Sequence, residues 1–220
     1  MEGPAASQAI TANALLALEA LSSPELRAAC GSAEVVLPES SGMAWALGIL
    51  GQPRSFQITG VDLAFRLCQR ASEKDFSVSF IGGAPGVAAA AAAALRKRIP
   101  GLRIGSIHHG FFNSDENTLV ITKIKEGGAR LTLLAMGMPR QDVWIHQNRG
   151  ALPAGLYMGV GGAFDIWAGN LKRAPVWVQK RGIEWFYRLC QEPWRARRIA
   201  KLPLFALKVL LQKCDTIRPR

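Results

Sequence analysis

The sequence predicts an α/β fold, namely one Rossmann-like domain with an open, mostly parallel sheet and a helical appendage at the C-terminus. Short apolar runs rich in β-branched residues alternate with stretches that are long enough for helices. Several of these runs are apolar on both faces, as expected of parallel strands covered by helices. After Asn170 the composition changes to short segments dense in Trp, Arg and Lys, which indicates that the sheet domain ends there.

The predicted elements alternate along the chain. Strands are expected at Ala33–Leu37, Ser77–Gly82, Leu102–Ile107, Arg130–Ala135 and Leu156–Val160. Helices are expected at Ala12–Cys30, Ser41–Leu50, Val61–Ala71 and Val87–Ile99. Beyond them, Pro175, Pro193 and Pro203 divide the chain into short helices joined by turns.

Length and composition limit the number of domains. With 220 residues, of which 49% are hydrophobic, the chain can bury one core and carry a small appendage. We therefore expect an α/β core at residues 1–170 and a helical appendage at residues 171–220. No continuous run of apolar residues reaches the roughly 18 that a bilayer span needs. The first residues lack a basic segment and a cleavage site, so we expect the chain to stay in the cytoplasm.

The positive charge is concentrated in the appendage. The net charge is +11, and residues 171–220 hold 13 Lys and Arg against 3 Asp and Glu, whereas residues 1–170 hold 14 against 13. Such an asymmetry suits a polyanion, which could be nucleic acid, anionic lipid or a diphosphate substrate. A basic, solvated helix is the alternative.

Metal and thiol chemistry have little support in the sequence. The four cysteines stand far apart without a C-x-x-C pair, which argues against a zinc site or a disulfide framework. There is no D-x-D pair to hold a metal on a nucleotide diphosphate. His108, His109 and His146 are more typical of structural histidines than of catalytic ones. Positive charge for a phosphorylated leaving group must therefore come from arginine.

A glycine turn follows the second predicted strand. Gly82, Gly83 and Gly86 lie between this strand and the helix that begins at Val87. Exposed amides and the helix dipole at such a turn favour an anion, and glycine lets a ligand approach the backbone closely. Many turns of this kind use glycine for steric reasons alone. The segment also lacks a full G-x-G-x-x-G and a ribose-binding acid, so NAD is a poor candidate.

Polar residues follow three other predicted strands. Gln141 comes after the Gly137–Pro139 turn, and Gly161, Gly162 and Asp165 follow the last strand. Ligands of open α/β sheets bind at such carboxyl ends. Gln141 could hydrogen-bond sugar hydroxyls or only begin a helix, and Asp165 could hold a hydroxyl or cap the next helix. Glu39 follows the first predicted strand, where it could act as a general base or be a solvated loop acid.

The appendage combines arginines with aromatic side chains. Arg188, Arg195 and Arg198 are spaced by seven and three residues, so along a helical path they share a face and could hold a diphosphate. The same segment contains Trp177, Trp185, Tyr187 and Trp194, and such aromatics are typical of a bilayer interface. The segment KLPLFALKVLLQK then has the pattern of an interfacial helix with a basic edge. A helix that docks on the core is the alternative.

The segment GVGGAFDIWAGNLKRAPVWVQKRGIEWFYRLCQEPWRARR resembles the signature of the WecG/TagA/CpsF glycosyltransferases. Six further blocks resemble family blocks in the same order, over roughly residues 10–200. They are ITANA, VVLPESSG, ITGVDL, FIGGAPG, IHHGFF and MGMPRQDVWI. Seven blocks in register are a specific resemblance.

The resemblance implies an inverting transfer of a sugar from a UDP-sugar donor to a polyprenyl-diphosphate-linked acceptor, without a cofactor or metal. The donors used in the family include N-acetylmannosamine, its uronic acid and glucose. The enzyme would act at the anionic cytoplasmic face of the inner membrane as a peripheral protein, during assembly of a surface polysaccharide, and could form a homo-oligomer. No nucleic acid would take part.

The resemblance also implies roles for particular residues. Glu39 would stand at the position of the family's base, and Thr11, Asn13 and Gln141 would line the active site. Asp62 in the ITGVDL block would contribute to substrate binding, together with the glycines and Asp165. The three appendage arginines would close over the diphosphates, so that the appendage is both active-site lid and membrane foot.

Four departures from the family pattern bear on these roles. The family's base is usually Asp, and Glu39 is one methylene longer. Gln57 stands where an arginine is common, and Asp142 stands where the family has Glu. Only ten residues precede Thr11, fewer than the family's usual lead-in of a strand and a helix. A transferase-like scaffold without activity is therefore one alternative, and a basic nucleic-acid-binding protein is another.

Overall fold

The computed structural model describes residues 5–52 and 58–217, and Gln57 lies outside them. Six strands form one sheet in the order β2-β1-β6-β5-β3-β4, and every pair of neighbours is parallel. The strands are β1 (Ala6–Ala12), β2 (Val35–Pro38), β3 (Ser77–Gly82), β4 (Arg103–His108), β5 (Leu131–Ala135) and β6 (Gly155–Gly159). The predicted open, mostly parallel sheet is confirmed, and its described strands are all parallel.

Twelve α-helices are described. Those of the sheet domain are α1 (Ala14–Ser22), α2 (Pro24–Ser32), α3 (Ser41–Ile49), α4 (Gly60–Glu73), α5 (Val87–Arg98), α6 (Asn117–Glu126), α7 (Arg140–Asn148) and α8 (Ala163–Trp167). The appendage contains α9 (Val176–Lys180), α10 (Glu184–Gln191), α11 (Ala196–Ile199) and α12 (Leu202–Ile217), with a 3₁₀ turn at Pro193–Arg195. Within the described ranges, no helix is both long and apolar enough to span a membrane.

The N-terminal region differs from the prediction in two ways. The segment ASQAITA forms β1, although its alanines, serine and glutamine have low β propensity, because it is buried between two neighbouring strands. The predicted helix Ala12–Cys30 is in fact two helices. Ser23 ends the first and caps the second by accepting a 3.2 Å hydrogen bond from the Leu26 amide, and Pro24 begins α2 at a position that needs no amide donor.

Helices cover both faces of the sheet. On one face, α4, α5 and α8 pack on the strands around Phe80 and Phe164, whose ring centroids are 5.5 Å apart. On the other face, α6 and α7 pack around Leu134 and Tyr157, next to α1 and α2. Burial of one such aromatic side chain stabilises the fold by about 1.5–3 kcal/mol. The two layers of helices packed on the sheet thus fix the positions of the strand ends.

The strand order creates a switch point at β1. The chain runs from β1 outward to β2, and the other four strands lie on the opposite side of β1. In open parallel sheets, ligands bind beyond the carboxyl ends of the strands at such a point. The carboxyl ends of β1, β2 and β6 are therefore where a site is expected.

Candidate active site

A cavity of about 530 Å³ lies at this switch point. Its lining includes nine of the predicted site residues: Thr11, Asn13, Glu39, Gln141, Gly161, Gly162, Arg188, Arg195 and Arg198. Other lining residues are apolar, among them Leu15, Trp45, Leu202 and Phe205. The cavity has the size of a small-molecule site and combines a polar floor with an apolar wall.

Glu39 is held at the end of β2 by groups from three segments. The Gly60 amide, at the start of α4, donates a 2.8 Å hydrogen bond to Glu39 Oε1. The side chains of Thr11 and Asn13 also hydrogen-bond to this carboxylate. Asn13 in addition caps α1, because its Oδ1 accepts 3.0 Å hydrogen bonds from the Leu15 and Leu16 amides. Glu39 is thus a fixed carboxylate, not a solvated loop acid.

The surroundings of Glu39 shift the pKa of its carboxyl group. Burial raises the pKa of the Glu39 carboxyl above its usual range, which the Gly60 amide, Thr11, the positive charge of Arg188 and Asn13 oppose. A carboxylate with a raised pKa is a stronger proton acceptor near neutral pH. The site can therefore place a base beside a bound hydroxyl.

Gln141 and Asp142 form the floor of the cavity at the start of α7. Gln141 Oε1 accepts a 3.1 Å hydrogen bond from the Gly161 amide, and its amide group packs against Gly159, where a Cβ would overlap with it. Asp142 is 2% exposed, and its Oδ2 has no hydrogen-bond partner among the described residues. Burial raises the pKa of Asp142 to about 7, the Gln141 hydrogen bond lowers it, and the charge of Glu39 adds to the rise.

The appendage brings its arginines to the same cavity. The Arg188 guanidinium lies over Gly162, where a Cβ would overlap with Nη2. Glu192 pairs with Arg188 and Arg195, and Arg198 Nη2 donates a 2.9 Å hydrogen bond to the Met138 carbonyl. Burial, followed by the neighbouring Arg195 charge, lowers the pKa of Arg188. Positive charge therefore lines one wall of the cavity while carboxyl groups lie at its floor.

The appendage packs directly on the sheet domain. Phe205 and Val209 of α12 are buried against Ala14, Leu18 and Ala46 of α1 and α3. The Ser41 hydroxyl donates a 3.0 Å hydrogen bond to the Gly182 carbonyl. One face of α12 thus docks on the core, as in the alternative interpretation of this segment. A division at residue 170 stays a prediction.

Five predicted site residues lie outside the cavity lining: Asp62, Gly82, Gly83, Gly86 and Asp165. Asp62 pairs with both terminal nitrogens of Arg173, at 2.6 Å for Nη1, and this pairing holds the pKa of Asp62 below its usual range. Asp165 accepts a 3.4 Å hydrogen bond from the Asn170 side chain. These contacts stabilise the segment that precedes the appendage and the C-terminal end of α8. Substrate-binding roles for Asp62 and Asp165 stay predictions.

The glycine turn after β3 has a packing explanation. A Cβ at Gly82 would lie 2.5 Å from the Ala135 backbone, and Gly83 and Gly86 have φ values of +69° and +87°. Only glycine adopts these conformations without strain. The turn therefore needs glycine whether or not an anion binds there.

Other functional candidates were not predicted from the sequence. Asp142, Arg173, Glu184 and Lys172 line the cavity, and Glu192 lies behind the arginines. The spacing of Glu192 from Arg188 and Arg195, four and three residues, indicates contact on a helical path. Asp142 follows Gln141 after the same predicted strand, and this position is a signal for it. For Arg173 the sequence offers no comparable signal, because its partner Asp62 comes from a distant segment.

An open parallel sheet with a ligand-sized cavity at its switch point defines a Rossmann-like α/β protein with a candidate small-molecule site. The sequence matches the family described as "Glycosyl transferase WecG/TagA/CpsF family" over residues 1–219, and the chain belongs to this family. The resemblance found in the sequence is thereby confirmed.

Two curated relatives are similar along most of their length. The "N-acetylglucosaminyldiphosphoundecaprenol N-acetyl-beta-D-mannosaminyltransferase" of Bacillus spizizenii (strain ATCC 23059 / NRRL B-14472 / W23) is 31% identical over 210 residues, covering 96% of this chain and 81% of the relative. A protein of the same name from Bacillus subtilis (strain 168) is 29% identical over 203 residues, covering 92% and 78%. Both names describe glycosyltransferases.

Proposed function

We propose that this glycosyltransferase moves a sugar from a UDP-sugar to a sugar linked to a polyprenyl diphosphate, with inversion at the anomeric carbon. The names of both relatives specify N-acetylmannosaminyl transfer to N-acetylglucosaminyl-diphosphoundecaprenol. We therefore place N-acetylmannosamine first among the donors, ahead of its uronic acid and glucose. The observation that carries the proposal is one cavity that holds a fixed carboxylate and three arginines.

Glu39 is the proposed base. It accepts the proton of the acceptor hydroxyl while the oxygen forms a bond to the anomeric carbon of the donor sugar. The bond between this carbon and the diphosphate oxygen breaks, and UDP leaves with the bonding electron pair. Glu39 lies at the carboxyl end of β2 with its Oε1 fixed by the Gly60 amide. Fixing the base in this way reduces the reorganisation needed during proton transfer.

The arginines are the proposed stabilisers of the diphosphate. Negative charge accumulates on the leaving UDP, and guanidinium groups stabilise phosphate oxygens by charge-assisted hydrogen bonds. Arg188, Arg195 and Arg198 all line the cavity. Three cations at this wall supply the charge that a metal ion would otherwise provide, which agrees with the metal independence implied by the family.

The cavity also suits a lipid-linked acceptor. Leu15, Trp45, Leu202 and Phe205 form an apolar part of its lining, beside the docked face of α12. An apolar wall stabilises the first isoprene units of a polyprenyl chain, because their burial removes hydrocarbon from water. The cavity thus offers polar groups to the sugar of the proposed acceptor and apolar side chains to its lipid.

A donor panel tests the proposed reaction. UDP-N-acetylmannosamine, the corresponding uronic acid and UDP-glucose are each incubated with full-length enzyme and synthetic polyprenyl-diphosphate-linked N-acetylglucosamine. We expect one new disaccharide by mass spectrometry, with N-acetylmannosamine as the preferred sugar and an inverted anomeric centre by NMR. UDP binding without transfer to any acceptor would instead indicate the inactive scaffold.

We further propose that the appendage rests on the anionic cytoplasmic face of the inner membrane as a peripheral contact. The appendage exposes the aromatic side chains Trp177, Trp185, Phe186 and Trp194, of which Trp185 also lines the cavity, and the α12 residues Leu204, Leu207, Leu210 and Leu211. Basic residues such as Lys208 lie on the same helix. Apolar insertion together with attraction to anionic lipid is the pattern of interfacial binding.

Liposome sedimentation tests this membrane contact. Leu207→Ser combined with Leu211→Ser removes two side chains that are 53% and 55% exposed. We expect less protein to pellet with vesicles that contain anionic lipid. Leu119→Ser is the matched control, because Leu119 is 49% exposed on α6, outside the appendage. Equal sedimentation of the double variant and the control would contradict the proposed contact.

A further inference from the structure

Glu192 joins the two arginines that flank it in the appendage. It lies between α10 and the 3₁₀ turn and is 8% exposed. The same oxygen, Oε2, lies 3.1 Å from Arg188 Nε and 2.7 Å from Arg195 Nε. Exposed helical ion pairs contribute about 0.3–0.5 kcal/mol. A buried carboxylate shared by two guanidiniums is different, because removing it leaves two neighbouring cations without their counter-charge.

The geometry of these contacts leaves the ends of both guanidiniums available. Glu192 Oε2 accepts a hydrogen bond from Arg188 Nε, and it forms an ion pair with Arg195 Nε at 2.7 Å that lacks hydrogen-bond geometry. This carboxylate therefore uses the terminal nitrogens of neither guanidinium. Arg188 Nη2 is buried and has no hydrogen-bond partner among the described residues, and it lies over Gly162 at the cavity wall. A buried charged donor without a partner is costly, and an anion in the cavity would satisfy it.

We propose that Glu192 is a positioning residue that holds Arg188 and Arg195 with their terminal nitrogens directed at an anionic group of the diphosphate class. That this group belongs to the substrate rests on the proposed function. Glu192 itself does not contact the ligand. It fixes two flexible side chains in advance, so that binding the anion costs less side-chain entropy.

The two conceivable effects of Glu192 on anion binding have opposite signs. If Glu192 acted only through its charge, its removal would make the site more positive and would tighten anion binding. If Glu192 acts by positioning, its removal weakens binding although the net positive charge rises. Glu192→Gln keeps the size of the side chain and removes only the charge, so the direction of the change separates the two effects.

The experiment measures binding of UDP and of inorganic pyrophosphate to the full-length protein by isothermal titration calorimetry. We expect Glu192→Gln to weaken both by about tenfold or more, as for the loss of a charge-assisted hydrogen bond. Glu192→Asp keeps the charge but withdraws it by one methylene, and we expect it to bind with intermediate affinity. Glu73→Gln is the matched control, because it breaks an exposed ion pair of the same kind, with Arg70 at 2.7 Å.

The outcomes distinguish this inference from the proposed function. Unchanged or tighter pyrophosphate binding by Glu192→Gln would overturn the positioning role while leaving the proposed reaction intact. Absence of binding to the unmodified protein would overturn both. If Glu192→Gln does not fold, as judged by its thermal transition, Glu192→Asp decides the question, and affinity equal to that of the unmodified protein would then count against positioning.

Discussion

Asp142 offers a direct test of the electrostatics of the cavity floor, because replacing it with asparagine removes its ability to ionise and hardly changes its shape. The side chain is 2% exposed, and Oδ2 has no hydrogen-bond partner among the described residues. Burial, with a smaller contribution from the charge of Glu39, raises the pKa of Asp142 from 3.8 to about 7. Asparagine has nearly the same shape and cannot ionise.

The size and sign of the expected effect follow from this shift. The folded protein holds the proton up to about pH 7, whereas the unfolded chain releases it near pH 3.8. Stability associated with the neutral carboxyl is therefore complete below about pH 4 and decreases as the pH rises through 7. At about 1.4 kcal/mol per pKa unit, the whole shift corresponds to about 4 kcal/mol, of which about 2–3 kcal/mol falls between pH 5 and pH 8.

Urea unfolding of the unmodified protein and of Asp142→Asn at pH 5 and pH 8 measures this effect. We expect the free energy of unfolding of Asp142→Asn to gain about 2–3 kcal/mol relative to the unmodified protein between these pH values. Asp115→Asn, at an exposed loop position, controls for general effects of an aspartate replacement. A difference that does not change with pH would refute the assignment of a neutral Asp142 to the folded protein at pH 5.

Three further predictions concern the candidate active site and the docking of α12 on the core. Glu39→Gln should lower kcat by about 10²–10⁴ while UDP affinity stays nearly unchanged, with Glu126→Gln as an exposed control; retained turnover would remove Glu39 from the mechanism. Gly162→Ala should raise the donor KM, because a Cβ there overlaps with the Arg188 guanidinium, whereas Gly31→Ala has open space and should leave KM unchanged. Phe205→Ala should lower the free energy of unfolding by about 3 kcal/mol, against little change for the exposed Leu204→Ala; equal effects in thermal or urea unfolding would mean that α12 is not docked.

The sheet was predictable where strands are marked by β-branched runs between turns. Ser77–Gly82 has the predicted bounds, and Arg103–His108 and Gly155–Gly159 each differ from the prediction by one residue at either end. Ala6–Ala12 was not predicted, because its strand conformation depends on pairing with β2 and β6, which come from later parts of the chain. Local propensity carries no information about such distant pairing.

The candidate site was predictable to the extent that it follows the ends of strands. Thr11, Glu39 and Gly161 each end or follow a parallel strand, so the topology alone brings them to one edge of the sheet. Asp62 lies near them but is paired with Arg173, a contact across more than a hundred residues that no local pattern indicates. The arginines of the appendage reach the cavity through the docking of α12 and the Arg198 contact with Met138, which depend on packing.

The docking of the appendage on the core and the membrane contact that we propose for it involve different faces of the same segment. In α12, Phe205 and Val209 are buried on the core while Leu207 and Leu211 are exposed. In α10, Trp185 is exposed and also lines the cavity, and it lies three residues before Arg188 on the same face of the helix. On the proposed function, a membrane surface that holds Trp185 therefore also restrains Arg188. Membrane contact and the position of Arg188 would then be coupled through the short helix α10. We therefore expect liposomes to raise kcat/KM more for the unmodified protein, in which Glu192 pairs with the arginines, than for Glu192→Gln.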